Sequence, residues 1–115
     1  MANTFKTITK AGVTSADVIY TVAGSTTSVV LGLMLGNTTS STITATVTLG
    51  TDTANRAGNN NETNQDVELI TSTSIPGNST LELLAGNKVV METTDTLSVT
   101  GSGATDVALS VMEIT

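Results

Sequence analysis

Cysteine and histidine are both absent from the 115 residues of this chain. Without cysteine there is no disulfide staple, no thiolate nucleophile and no Cys-based zinc site, and the redox compartment stays open. Without histidine the commonest general base and the commonest metal ligand are gone, and a Ser-His-Asp triad is excluded. A serine acting with a lysine base would have to use Lys6, Lys10 or Lys88.

Basic residues number four against ten acidic ones, for a net charge of −6. Nucleic-acid affinity rests on lysine and arginine neutralising phosphates, and anionic membranes select the same charges. Neither partner is expected. Aromatics are limited to Phe5 and Tyr20, so the stacking platforms of sugar and single-strand sites are missing. The longest apolar-leaning stretch, Val29 to Leu35, is far too short to span a bilayer as a helix. The opening residues, Met1 to Lys6, lack the apolar core of a signal peptide, which leads us to expect a chain made and assembled in the cytosol.

What is abundant is alternation. Thr42-Ile43-Thr44-Ala45-Thr46-Val47-Thr48-Leu49 runs polar, apolar, polar, apolar without a break. Successive strand side chains point to opposite faces, so this period predicts one wet and one buried face. Threonine, β-branched, suits such a surface. Further strands are predicted at Thr4–Thr9, Asp17–Val22, Ser28–Leu35, Val67–Ser74, Thr80–Leu84, Lys88–Glu92, Leu97–Thr100 and Asp106–Ile114. In Ser28–Leu35 the alternation puts Val29, Leu31, Leu33 and Leu35 on one face and Val30 with Met34 on the other. Asn37-Thr38-Thr39-Ser40 joins this strand to Thr42–Leu49, and the pair reads as a hairpin. Pro76-Gly77 suits the centre of a type II turn. No stretch sustains helical periodicity. The expectation is one all-β domain over residues 1–115: a single antiparallel β-sandwich of about eight strands, jelly-roll or Ig-like. Residues 1–12 are set apart as a docking arm, and residues 50–66 as a long polar loop.

Few residues remain for chemistry. Asp52, Glu62 and Asp66 offer oxygens to calcium but lack the Asp-x-Asp-x-Asp-Gly run of a calcium loop, so a solvated loop is the better reading. Asn37-Thr38-Thr39, Asn61-Glu62-Thr63 and Asn78-Ser79-Thr80 match the glycosylation pattern, which chance produces easily in so Asn- and Thr-rich a chain. Glu82 with Glu92, or Asp95 with Asp106, are candidate carboxylate pairs for glycoside hydrolysis, with nothing to fix either pair around a cleft. Catalytic residues, metal ligands and cofactors are therefore expected to be none. Candidate partner contacts are Phe5, Lys6 and Lys10 in the arm, and Arg56, Asn59, Asn60 and Asn61 in the loop.

One run has a wider likeness. Val18-Ile19-Tyr20-Thr21-Val22-Ala23-Gly24-Ser25-Thr26-Thr27-Ser28-Val29-Val30-Leu31 resembles the opening of a group of small virion proteins of tailed bacteriophages. The likeness continues through Gly36-Asn37-Thr38-Thr39, through Ile75-Pro76-Gly77-Asn78-Ser79-Thr80-Leu81-Glu82-Leu83-Leu84, and through Asp95-Thr96-Leu97-Ser98-Val99-Thr100 to Asp106–Ile114. It covers most of the chain from Asp17 onward, in strand and turn patterns. The chain departs from the pattern at Ala23, where proline is usual, and in its expanded Asn-rich loop. The resemblance implies a non-enzymatic building block of a virion. Small size and acidic charge favour a capsid decoration or cement protein that binds shell subunits in many copies as a trimer. A neck or tail accessory protein and a host-glycan-binding module are the alternatives.

Overall fold

In the computed structural model of the chain, residues 2–52, 65–84 and 87–115 are described. Among the described residues nine strands follow one another: β1 (Asn3–Val13), β2 (Ala16–Thr21), β3 (Thr27–Asn37), β4 (Ile43–Gly50), β5 (Asp66–Ile75), β6 (Thr80–Leu83), β7 (Val89–Met91), β8 (Thr96–Gly101) and β9 (Thr105–Ile114). They form two antiparallel sheets. The first has the order β1-β9-β3-β6, with β7 also paired to β3; the second has the order β2-β8-β4-β5. The pairings are nested: β1 with β9, β2 with β8, β3 with β6 and β7, β4 with β5. A long antiparallel ribbon rolled up in this way is a jelly roll, so of the two expected sandwich topologies this is the one adopted. The short strands β6 and β7 together oppose the single long β3.

The core lies between the sheets. Val30, Leu33 and Leu35 of β3 and Val107, Leu109 and Val111 of β9 are buried, as are Ala45 and Val47 of β4 and Leu97 and Val99 of β8. In β4 the alternation holds: Ile43, Ala45 and Val47 are buried between half-exposed threonines, and Leu49 is partly buried.

Four expectations need correction. First, β3 and β4 are no hairpin. They belong to different sheets, and the link between them crosses the sandwich. Asn37 directs this crossing. Its side chain is 3% exposed, and Nδ2 donates to the carbonyls of Ser41 (2.7 Å), Ile75 (2.9 Å) and Pro76 (3.1 Å). Oδ1 accepts from the Thr39 amide at 2.9 Å and the Thr39 hydroxyl at 2.7 Å. The bend is thus satisfied by one side chain instead of by a β-ladder.

Second, the faces of β3 are not those of strict alternation. The register against β9 slips between Val30 and Gly32, which leaves Leu31 as an extra residue. A β-bulge of this kind reverses the parity. Ser28 and Val30 point inward before it, Leu33, Leu35 and Asn37 after it, and Val29 faces out.

Third, the described part of the predicted arm, residues 2–12, does not stand free. From Asn3 to Lys10 every residue of β1 is in register with β9, and Ala2 and Thr115 exchange backbone hydrogen bonds beyond it. The ladder ends in a bulge between Lys10 and Val13, where Gly12 takes a positive φ of 67°.

The Pro76-Gly77 turn also differs from type II. Gly77 does not carry the positive φ; Asn78 does, at 57°. Glycine is required at 77 for space, since a Cβ there would stand 2.4 Å from the Ser40 carbonyl oxygen.

Candidate functional site

Cross-strand neighbours in register share a face. On β9 the buried Val107, Leu109 and Val111 define the inner face, so Asp106, Ala108, Ser110 and Met112 face out. Met112 pairs with Phe5 on one side and Val29 on the other, and Val29 pairs with Val90. Phe5, Met112, Val29 and Val90 therefore form one apolar row across four strands on the outside of the first sheet. Phe5 is 71% and Val90 56% exposed.

Beside this ridge the same face is hollow. The row Thr7-Ser110-Gly32 comes next, then Thr9-Ala108-Met34-Glu82, then Asp106-Gly36-Thr80. Glycine, alanine and serine leave the floor low. A hollow of about 360 Å³ lies over Ala11, Met34, Gly36, Thr80, Asp106 and Ala108. A second, of about 160 Å³, shares Met34 and Ala108 and extends to Gly32, Glu82 and Ser110. Met34 is 45% exposed. Of the two carboxylates here, Asp106 accepts the Gly12 amide through Oδ1 at 2.9 Å, and Glu82 stands on the edge strand β6.

The partner-contact candidates separate. Phe5 lies on this outer face. Lys6 and Lys10 stand opposite Val111 and Val107 and so belong to the inner side of edge strand β1. Lys6 Nζ is 2.8 Å from Glu113 Oε1, and Lys10 Nζ is 3.3 Å from Asp17 Oδ2. Arg56, Asn59, Asn60 and Asn61 lie outside the described residues. Val29, Val90 and Met112 were not among the contact candidates from sequence, because the ridge exists only once register and the Leu31 bulge are known; nor were Met34 and Ala108, which the register brings together in the hollow.

Glu113 anchors a polar network at one end of the sandwich. The buried Tyr20 hydroxyl, reaching from the second sheet, donates to Glu113 Oε2 and lies 3.1 Å from Ser28 Oγ. Burial, and then the bond to Glu113, push the Tyr20 phenol up to about 12. The Lys6 ammonium, and then the Tyr20 hydroxyl, hold Glu113 below the usual carboxylate range.

The other candidate constellations do not assemble. Glu82 stands opposite Met34, whereas Glu92 follows Met91, which stands opposite Ser28, about 20 Å away along β3. Asp95 precedes β8 and Asp106 follows it, at opposite ends of the strand. Asp95 is buried and accepts the amides of Asp52 and Glu92. Among the described residues no three Asp or Glu side chains gather to hold a metal; Glu62 lies outside them. The Asn37 amide, enclosed by three carbonyls, is no glycan acceptor. Asn78 serves the turn, and Asn61 is outside the described residues.

No protein-family model matches the sequence, and no curated protein matches it. Among solved structures, a chain from Bacillus endospore appendages, described as a family of disulfide-linked pili, is similar at 14% identity and a TM-score of 0.49. The match covers 99% of this chain and 87% of that one. A likeness of that degree identifies neither a family nor an activity.

Proposed function

We propose that this chain is a non-enzymatic structural protein of a tailed-phage virion, working in many copies as a decoration or cement protein on the shell. The observation that carries the reading is the apolar row Phe5-Met112-Val29-Val90, displayed on one rigid sheet. A contiguous apolar surface beside a low floor is what a protein contact needs. The virion setting comes from the sequence resemblance, and the many copies follow from how such particles are built: weak contacts repeated on a lattice gain by avidity.

The test is co-sedimentation of the purified chain with assembled phage heads, and separately with tails and necks. Saturable binding to heads that is lost in Phe5→Lys supports decoration. Binding only to tails or necks would move the protein to an accessory role there. Binding to none of them would overturn the reading.

A further inference from the structure

We infer that the outer face of the first sheet pairs with the same face of a second copy of this chain, the ridge of each seated in the hollow of the other. This goes beyond the virion reading and does not depend on it: the pair covers the ridge that the virion reading offers to the shell, so pairing and docking exclude each other on one face and the pair is the form of the chain away from the particle.

The shape of the face supports the pairing. Ridge and hollow lie on the same face, and the row Thr7-Ser110-Gly32 runs between them. Met112 in the ridge and Ala108 in the hollow are four residues apart on β9, about 13 Å. A two-fold axis along the middle row, in the plane between two facing sheets, carries the ridge of one copy onto the hollow of the other. Each contact is then made twice, as an isologous interface requires. Phe5 comes to face Thr9, Met112 faces Ala108, Val29 faces Met34, and Val90, at the edge, faces Glu82, each across the axis. Sheets that pack face to face keep their strands within about 30°, which preserves this correspondence near the axis.

Charge permits the same arrangement. The face carries Glu82 and Asp106, both on the hollow side of the axis, so neither meets its own copy. Glu82, on the edge strand, remains at the solvent rim. Area permits it as well. Four strands of about nine residues span roughly 19 by 30 Å, close to about 600 Å² per copy and roughly 1,200 Å² per pair. That reaches the lower bound of stable specific interfaces. The edge of the sheet is a poor alternative, because inward-pointing lysines on an edge strand, here Lys6 and Lys10, blunt strand addition. In place of the trimer favoured from size and charge, the face points to a two-fold pair.

The experiment is the solution mass of the full chain by light scattering and sedimentation, over micromolar to submillimolar concentrations. The expected mass is twice the 11.6 kDa of one chain. Met112→Lys on the ridge and Ala108→Trp in the hollow should each halve it. Val67→Lys, at an exposed position of the second sheet, should leave it unchanged. Circular dichroism checks that each variant is folded; should Ala108→Trp fail to fold, Phe5→Lys replaces it. A one-chain mass throughout overturns the pairing, as does a trimer, or a pair indifferent to the ridge and hollow variants. A monomer that still binds phage heads through Phe5 would overturn the pairing and leave the proposed function standing.

Discussion

The Asn37 side-chain amide on β3 donates to the Ile75 carbonyl at the end of β5, 2.9 Å away and out of solvent. Because β3 and β5 belong to different sheets, this bond ties the two layers together where the chain crosses between them. Asn37→Ala should cost about 1–3 kcal/mol, since buried carbonyls lose their donor. Asn37→Asp keeps the bonds from Thr39 but aims a carboxylate at three carbonyls, and should cost more. Urea unfolding midpoints give the order; equal costs would mean the donor bonds contribute nothing.

The turn after β5 makes opposite demands on neighbouring residues. Gly77→Ala places a methyl group against the Ser40 carbonyl and should destabilise by about 1–3 kcal/mol. Asn78→Gly, at a residue that already has φ of 57°, should be neutral or slightly stabilising. Thermal unfolding of the two variants checks the contrast, and a type II turn would reverse it.

Leu33 and Leu109 face the core from adjacent strands, at 1% and 0% exposure. Truncating either to alanine should cost about 2–5 kcal/mol. The bulge at Leu31 adds a sharper comparison: Val30→Ala should cost more than Val29→Ala, although strict alternation from Leu33 and Leu35 predicts the reverse. Chemical denaturation of the monomeric Met112→Lys background removes any contribution from pairing.

Stability should fall at both extremes of pH. Glu113 is held below its unfolded value, so its contribution is present above about pH 4.5 and is lost as pH falls through the folded value. Tyr20 is raised to about 12, so its contribution is present below its ordinary value of 10.0 and is lost as pH rises through the folded one. Lys6→Gln removes the first cause of the Glu113 shift and should flatten the acid limb, with little effect at the alkaline end. Melting temperatures across pH measure both limbs.

Strand existence and position were legible from the sequence, because threonine alternating with aliphatic residues marks pleated, half-buried backbone. All the predicted strands are present, with boundaries within a few residues. The order of the strands was not legible. Whether Asn37-Thr38-Thr39-Ser40 makes a hairpin or a crossing depends on a side chain that bonds to residues almost forty positions away. Parity at Val29 was hidden by a bulge that only the β9 register reveals. Lys6 and Lys10 read as exposed anchors, yet each is engaged by a carboxylate of another strand, Glu113 on β9 and Asp17 on β2. The candidate face was only partly visible: alternation in β3 put Met34 on a second apolar face, while Phe5, Met112 and Val90 joined it only through pairing.

The most direct test of the central claim, that the chain acts through the outer face of its first sheet, is methionine oxidation. Met34 and Met112 lie on that face, whereas Met91 is fully buried in the core and serves as an internal reference. Exposed thioethers oxidise to sulfoxide and covered ones are spared. Mass spectrometry after brief peroxide treatment would compare the free chain, diluted until its mass is that of one chain, with the chain bound on phage particles. Met34 and Met112 should be protected several-fold on the particle while Met91 stays slow in both. Equal oxidation of Met34 and Met112 in the free and bound chain would contradict that claim.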